Sequence, residues 1–261
     1  MEASSKLRSS DSLQILVVDD HSINREFLKS ALALKSFKVD EASSGPEAID
    51  CCRRVEYDLI LMDLHMPGQT GIETATAIQA LDTGSADASI IFLTADTRDD
   101  ALRQLHVAGF SRVLTKPVSI DTLINQLTSW QMLDGSPADR VRSSSGTGRL
   151  FDDEAALSAC HGQIELVAKM KRMFADDLDM RLGELEQRIK DGKPSDAAAI
   201  LHQWAGAAAY AGASKLSQRI GPLRSALLDQ TASPSRNSSL AHAYLDFLRC
   251  ARATSAALRR P

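Results

Sequence analysis

Three short runs of uninterrupted apolar residues, Ile15-Leu16-Val17-Val18, Leu59-Ile60-Leu61-Met62 and Ile90-Ile91-Phe92-Leu93, constrain this chain more than anything else in it. Continuous rather than alternating apolarity marks strands buried on both faces. Longer amphipathic segments separate the runs, the pattern of a parallel sheet covered by helices on either side. Five strands are expected near Gln14-Val18, Lys38-Ala42, Leu59-Met62, Ile90-Thr94 and Arg112-Thr115. Helices are expected near Ile23-Leu34, Gly45-Val55, Gly71-Ala80, Arg98-Ala108 and Ile120-Trp130.

From Asp134 to Gly148 the chain is rich in Gly, Ser and Pro and has nothing to build a core with, so a flexible linker is expected over 134–149. Beyond it β-branched runs disappear, and alanine, leucine and charged residues recur at helical spacing. Helices are expected near Asp152-Ala159, Ile164-Lys190, Ser195-Ala211, Ser214-Asp229 and Ser239-Leu258, four of them long enough for a bundle. The reading is an α/β domain over 13–133, preceded by a polar tail over 1–12, and an all-α domain over 150–261.

The composition, 44% hydrophobic and 25% charged over 261 residues, is that of ordinary globular protein with enough apolar material for two cores. The net charge of -4 conceals a division. Asp11 to Leu133 carries 10 basic and 18 acidic side chains, net -8, and Leu150 to Pro261 carries 15 and 13, net +2. Neither half has the basic stripe of a nucleic-acid-binding domain, so no nucleic-acid partner is expected. The polar start MEASSKLRSSDS lacks the apolar middle of a secretory signal and no later run reaches membrane-spanning length, so a cytoplasmic location without membrane insertion is expected. Cys51, Cys52, Cys160 and Cys250 form no C-x-x-C pair and are expected to be reduced and partly buried.

Strand ends of an open parallel sheet converge at its carboxyl edge, where α/β folds bind ligands. Asp19 and Asp20 follow the first strand and Asp63 the third, so three carboxylates are expected to meet there. Packed together they repel one another and call for a cation. An all-oxygen set suits Mg²⁺, which keeps waters and accepts phosphate oxygens. Thr94 ends the fourth strand and Lys116 the fifth, adding a hydroxyl and a fixed positive charge at the same edge. A phosphoryl group on Asp63 would carry about two negative charges and three acceptor oxygens, matched by Mg²⁺, Lys116 and Thr94. Pro117, after Lys116, is a candidate for a cis peptide bond.

ILVVDDHSINREFL, DLILMDLHMPGQTGIE, IIFLTAD and LTKP together resemble the receiver domain of two-component signalling over nearly all of Leu13 to Leu133. The resemblance implies that Asp63 is the phospho-acceptor, that Asp19 and Asp20 hold Mg²⁺ with the His65 backbone carbonyl, that Thr94 is the switch hydroxyl, and that Lys116 binds the phosphate. The S-I-N-R-E form of the first helix is similar to receivers attached to hybrid sensor kinases. One departure is Val113, where receivers often place Tyr or Phe as the rotating partner of the switch hydroxyl. His65 and Asp96 stand two residues beyond Asp63 and Thr94, positions that in the family tune loss of the phosphoryl group to water.

In the second half, a helical wheel gives His202 only small same-face neighbours: Ala198, Ala199, Ala205, Gly206 and Ala209. Ile200, Trp204, Ala207 and Ala211 form an apolar stripe on the other side. An imidazole above a cleared surface is expected, open to a phosphate pocket on another domain. With a reference pKa near 6.5 it is largely neutral and nucleophilic without a dedicated base. HQWAGAAAYAGASKLS resembles the phosphorylated helix of histidine-containing phosphotransfer domains, and the likeness extends through most of Leu150 to Arg260. The family often has lysine three residues after the histidine. Here that position is Ala205, with Lys215 a candidate replacement.

These readings imply a phosphorelay protein: Asp63 accepts a phosphoryl group from a histidine kinase and exchanges it with His202, which exchanges it with another receiver. Chemistry permits flow in either direction. A different reading makes the helical domain a non-phosphorylated interaction output controlled by Asp63. A third treats the chain as the C-terminal portion of a hybrid sensor kinase, since no ATP-binding domain is visible in it. Enzyme status is ambiguous, because the receiver promotes its own acylation but nothing indicates turnover of a free metabolite.

Overall fold

The computed structural model describes residues 13–94, 99–129, 150–229 and 234–259. The expected tail over 1–12 and linker over 134–149 lie outside the described residues, as does Asp96. The chain folds as two compact units.

In the first unit the strands are β1 (Gln14–Val18), β2 (Lys38–Ala42), β3 (Leu59–Asp63), β4 (Ser89–Thr94) and β5 (Val113–Thr115). All pairings are parallel, in the order β2-β1-β3-β4-β5. The helices are α1 (Ser22–Ala33), α2 (Gly45–Arg54), α3 (Gly71–Gln79), α4 (Asp99–Val107) and α5 (Ile120–Ser129). Every residue of β3 is buried, and β1 and β4 are buried after their first residue, as their unbroken apolar runs require. The edge strand β2 alternates instead.

Alternation along the central strands sends Leu16, Val18, Ile60, Met62, Ile90 and Phe92 into one core with Ala48 and Cys52 of α2, Ala75 and Ile78 of α3, and Leu105 of α4. Helices α1 and α5 contact each other and supply buried Ile23, Phe27, Leu123 and Leu127. Between α3 and β4 a short 3-10 helix, Gly84–Asp87, was not expected from the sequence. It is anchored by Ser85, whose hydroxyl donates to the Val55 carbonyl at 2.9 Å and accepts from the Tyr57 amide at 3.0 Å.

The second unit is all helix: α6 (Asp153–Ala159), α7 (Ile164–Lys190), α8 (Pro194–Tyr210), α9 (Ser214–Leu228) and α10 (Pro234–Leu258). Helix α8 packs against α6, α7 and α9, and α10 against α7 and α9. Phe174, Leu178, Leu201, Trp204, Leu216, Leu223 and Phe247 are buried between them. Helix α10 starts at Pro234, five residues before the expected Ser239. Proline suits the first helical position, where its missing N–H would have had no partner in any case. Among the described residues no helix is long and apolar enough to cross a membrane.

Candidate functional site

The ladder of the sheet delivers the acids to one place. β1 ends at Val18, and the amide of Asp19 still donates to the Ala42 carbonyl at 3.2 Å, so Asp19 begins where the ladder stops. Asp63 is the last residue of β3, in register with Leu93 of β4. One carboxylate oxygen each from Asp19, Asp20 and Asp63 lie within 4.8 Å of one another. Asp19 and Asp63 are buried, and Asp20 is half-buried.

Lys116 is held at this edge by its own backbone, whose amide donates to the Thr94 carbonyl at 2.7 Å. The peptide bond to Pro117 is cis. From there the ammonium reaches Asp19 Oδ2 at 2.6 Å and Asp63 Oδ2 at 2.8 Å, with all three side chains almost fully withdrawn from water. Thr94 is buried at the end of β4, and the His65 amide donates to Asp63 Oδ1 at 3.4 Å.

The two buried acids are pushed in opposite directions. Burial raises the pKa of Asp63 to about 7, with Asp19 and Asp20 adding to the rise against the opposing pull of Lys116. Burial acts on Asp19 as well, but the Lys116 charge and hydrogen bonds from Lys116, the His21 amide and Asn24 outweigh it and hold Asp19 below the ordinary carboxylate range. Lys116, which burial alone would lower, is held above the usual lysine range by Asp19 and Asp63. The pocket thus contains an acid that gives up its proton with difficulty beside a cation that keeps its own. The donor set fits a hard divalent cation: three carboxylates close enough to share an ion, all ligands oxygen, and, among the described residues, one buried ammonium to balance them.

Sequence reasoning missed the residues that hold Asp19. Asn24 donates its side-chain amide to Asp19 Oδ1 at 3.1 Å and Oδ2 at 3.2 Å, the His21 amide donates to Oδ1 at 2.9 Å, and Arg25 donates to the Asp19 carbonyl at 2.7 Å. A signal was present. Asn24 interrupts the apolar stripe Phe27, Leu28 and Ala31 at helical spacing, and a lone amide on such a stripe needs a buried partner.

In the second unit the expected apolar stripe is found: Ile200, Trp204, Ala207 and Ala211 are all buried. The expected open face for His202 needs correction. His202 is only 9% exposed, and its neighbours Ala198 and Gly206 are buried too. Ala199 is exposed, and Ala205 and Ala209 are half-buried, so the accessible strip runs along one edge. Small side chains do not hold neighbouring helices away; they let them approach, and α6, α7 and α9 close over more of α8 than one stripe. Lys215 is exposed in the first turn of α9, where its charge is felt by Cys250 of α10.

The response regulator receiver domain family matches residues 15–128, and the Hpt domain family matches residues 169–257. The chain carries a receiver domain followed by an Hpt domain. That pairing belongs to phosphorelays, where a phosphoryl group passes between aspartate and histidine, and this receiver carries an acidic cluster of Asp19, Asp20 and Asp63. Its relatives are hybrid sensor kinases. The Sensory/regulatory protein RpfC of Xanthomonas campestris pv. campestris is 29% identical over 192 residues, which are 71% of this chain and 26% of that protein. The Sensor histidine kinase AruS of Pseudomonas aeruginosa is 29% identical over 216 residues, 82% of this chain and 21% of that protein. The chain therefore spans about a quarter of the length of such relatives. Among solved structures, the receiver domain of sensor histidine kinase PA1611 from Pseudomonas aeruginosa, with magnesium in its active-site cleft, is 28% identical. It covers 46% of this chain and 97% of that one, with a TM-score of 0.42.

Proposed function

We propose that Asp63 accepts a phosphoryl group from a phosphohistidine of a sensor kinase and exchanges it with His202, which exchanges it with another receiver. The observation that carries this reading is the Lys116 ammonium lodged between Asp19 and Asp63 in a buried pocket that Asp20 completes.

In the first step a carboxylate oxygen of Asp63 bonds to phosphorus as the phosphorus–nitrogen bond of the donor breaks, and the released electron pair stays on the donor imidazole. Lys116 then has a phosphoryl oxygen within its reach as well as Asp63, and the Thr94 hydroxyl donates to another. Asp19, Asp20, Asp63 and the His65 carbonyl would hold Mg²⁺, which supplies positive charge against the phosphoryl oxygens. In the second step an imidazole nitrogen of His202 bonds to phosphorus as the acyl phosphate bond breaks and returns its electron pair to Asp63. The partners are a histidine kinase and a further receiver.

The test is to label the protein with a small phosphodonor and Mg²⁺, then with a phosphorylated receiver, and to map acid-stable and acid-labile phosphate. Asp63→Asn should lose labelling by the small donor, and His202→Gln should lose label entering the helical domain. Label persisting in the helical domain of His202→Gln sinks the relay. The near-complete burial of His202 favours one competing reading, a helical domain that responds to Asp63 without being phosphorylated. Absence of label from the wild-type helical domain under every donor would establish that alternative.

A further inference from the structure

We propose that Asn24 is a positioning residue for phosphoryl transfer: by bridging both carboxylate oxygens of Asp19 it fixes the counter-ion that keeps Lys116 aimed at Asp63. The inference rests on the reading of Asp63 as phospho-acceptor.

The torsion that sets the plane of an aspartate carboxylate is broad and has no sharp intrinsic minimum. Asp19 must therefore be oriented by its partners. Oδ2 accepts from Lys116 at 2.6 Å and from Asn24 at 3.2 Å; Oδ1 accepts from the His21 amide at 2.9 Å and from Asn24 at 3.1 Å. Among the described residues only Asn24 touches both oxygens, so it is the contact that resists rotation of the carboxylate. Arg25, the next residue of α1, holds the backbone of Asp19 by its carbonyl at 2.7 Å, which anchors the other end of the side chain.

The energetics point the same way. Asn24 is 2% exposed on the apolar stripe of α1, and its Oδ1 is buried without a hydrogen-bond partner. An apolar residue there would pack without leaving a buried acceptor unmade. A side chain that carries such a cost is explained by what its donors do to Asp19. With Asn24 gone, the carboxylate turns and Lys116 loses its fixed second partner. The ammonium then divides its time among orientations, fewer of which face phosphorus on Asp63.

The experiment uses the full chain with acetyl phosphate at saturating MgCl₂ and follows hydroxylamine-sensitive phosphate on Asp63. Asn24→Ala should lower the maximal rate by about tenfold or more, as misplaced supporting contacts do, while the half-saturating acetyl phosphate concentration stays within about twofold. In an Asp19→Ala background the same substitution should have no further effect, because the group through which Asn24 acts is gone. A wild-type maximal rate for Asn24→Ala overturns the proposal, and so does a loss that repeats in full when Asp19 is absent. If the alanine variant does not fold, near-isosteric Asn24→Leu, which fills the space without donors, carries both comparisons. Equal labelling of Asp63→Asn and wild type would instead remove the phospho-acceptor reading itself.

Discussion

Trp204 donates its indole N–H to Asp177 Oδ2 at 2.5 Å, tying the helix that carries His202 to the helix before it. Trp204 is fully buried and stacks on Phe247 of α10, with ring centroids 6.0 Å apart, so one side chain fixes α8 against two neighbours. Asp177→Ala leaves the indole donor buried without its acceptor, which costs roughly 1–3 kcal/mol. Urea unfolding followed by far-UV circular dichroism should show that loss. Adding Trp204→Phe to Asp177→Ala should cost less than the sum of the separate losses, since no donor is then stranded. Strict additivity would mean that the bond does not hold α8 in place.

The raised pKa of Asp63 gives a pH dependence of definite sign. Burial lifts Asp63 to about 7, whereas the unfolded chain releases the same proton near 4. Between those values the folded state binds the proton more tightly, so the stability it confers is complete below about pH 4 and is lost as pH rises to 7. Metal-free Asp63→Asn, which cannot ionise, should therefore be more stable than wild type at pH 8, by an amount on the order of a few kcal/mol. The gap should shrink toward pH 4. Mg²⁺ favours the ionised carboxylate and should raise the melting temperature of the wild type far more than that of Asp63→Asn. A difference independent of pH would place the proton elsewhere in the pocket.

The sheet and its acids could be read in advance because burial on both faces leaves an unbroken apolar run, and the residue that ends each run is carried to one edge. The positions of Asp19, Asp63 and Thr94 follow from that rule, and Lys116-Pro117, closing the less apolar fifth strand, fits the set. Asn24 did not, since its role depends on α1 turning one polar side chain back onto Asp19, a contact with no periodic signature beyond an interrupted stripe. The exposure of His202 was misjudged for a different reason. A helical wheel shows which residues share a face but not which helices cover it, and α8 packs against α6, α7 and α9 and, through Trp204, against α10. The 3-10 helix at Gly84–Asp87 is too short to have a period, and only its bond from Ser85 to Val55 reveals why it forms.

Gly71 opens α3 close to the end of β3, in a capping box where Thr70 accepts from the Glu73 amide and Glu73 from the Thr70 amide. Its amide donates to the Leu64 carbonyl at 3.1 Å, and a Cβ placed on it would collide with the backbone carbonyl of Asp63. The obstacle is backbone and cannot rotate away. Gly71→Ala should cost roughly 1–3 kcal/mol, as forced overpacking does, and lower Asp63 labelling by acetyl phosphate because the end of β3 must shift. Gly68, whose added Cβ would meet nothing but whose φ is +81°, offers a contrast. Gly68→Asn should fold with little loss, as asparagine tolerates that region, and should leave labelling near wild type. Equal labelling in both variants would show that the end of β3 absorbs the collision.

His65 stands two residues past Asp63, half-buried, with its amide 3.4 Å from Asp63 Oδ1 and its Nδ1 buried. That backbone bond fixes His65 next to the acid, at the position that in receivers tunes loss of the phosphoryl group to water. Asparagine is smaller and better hydrated, so His65→Asn should shorten the lifetime of the aspartyl phosphate. A change on the order of two- to tenfold corresponds to no more than about 1.4 kcal/mol of barrier, which is what one partly buried side chain can control. Release of inorganic phosphate from labelled protein measures it directly, and Asp63→Asn sets the background. His65→Ala separates bulk from chemistry: loss at the rate of the asparagine variant assigns the effect to vacated space. A wild-type rate in both variants would mean that His65 does not guard the phosphoryl group.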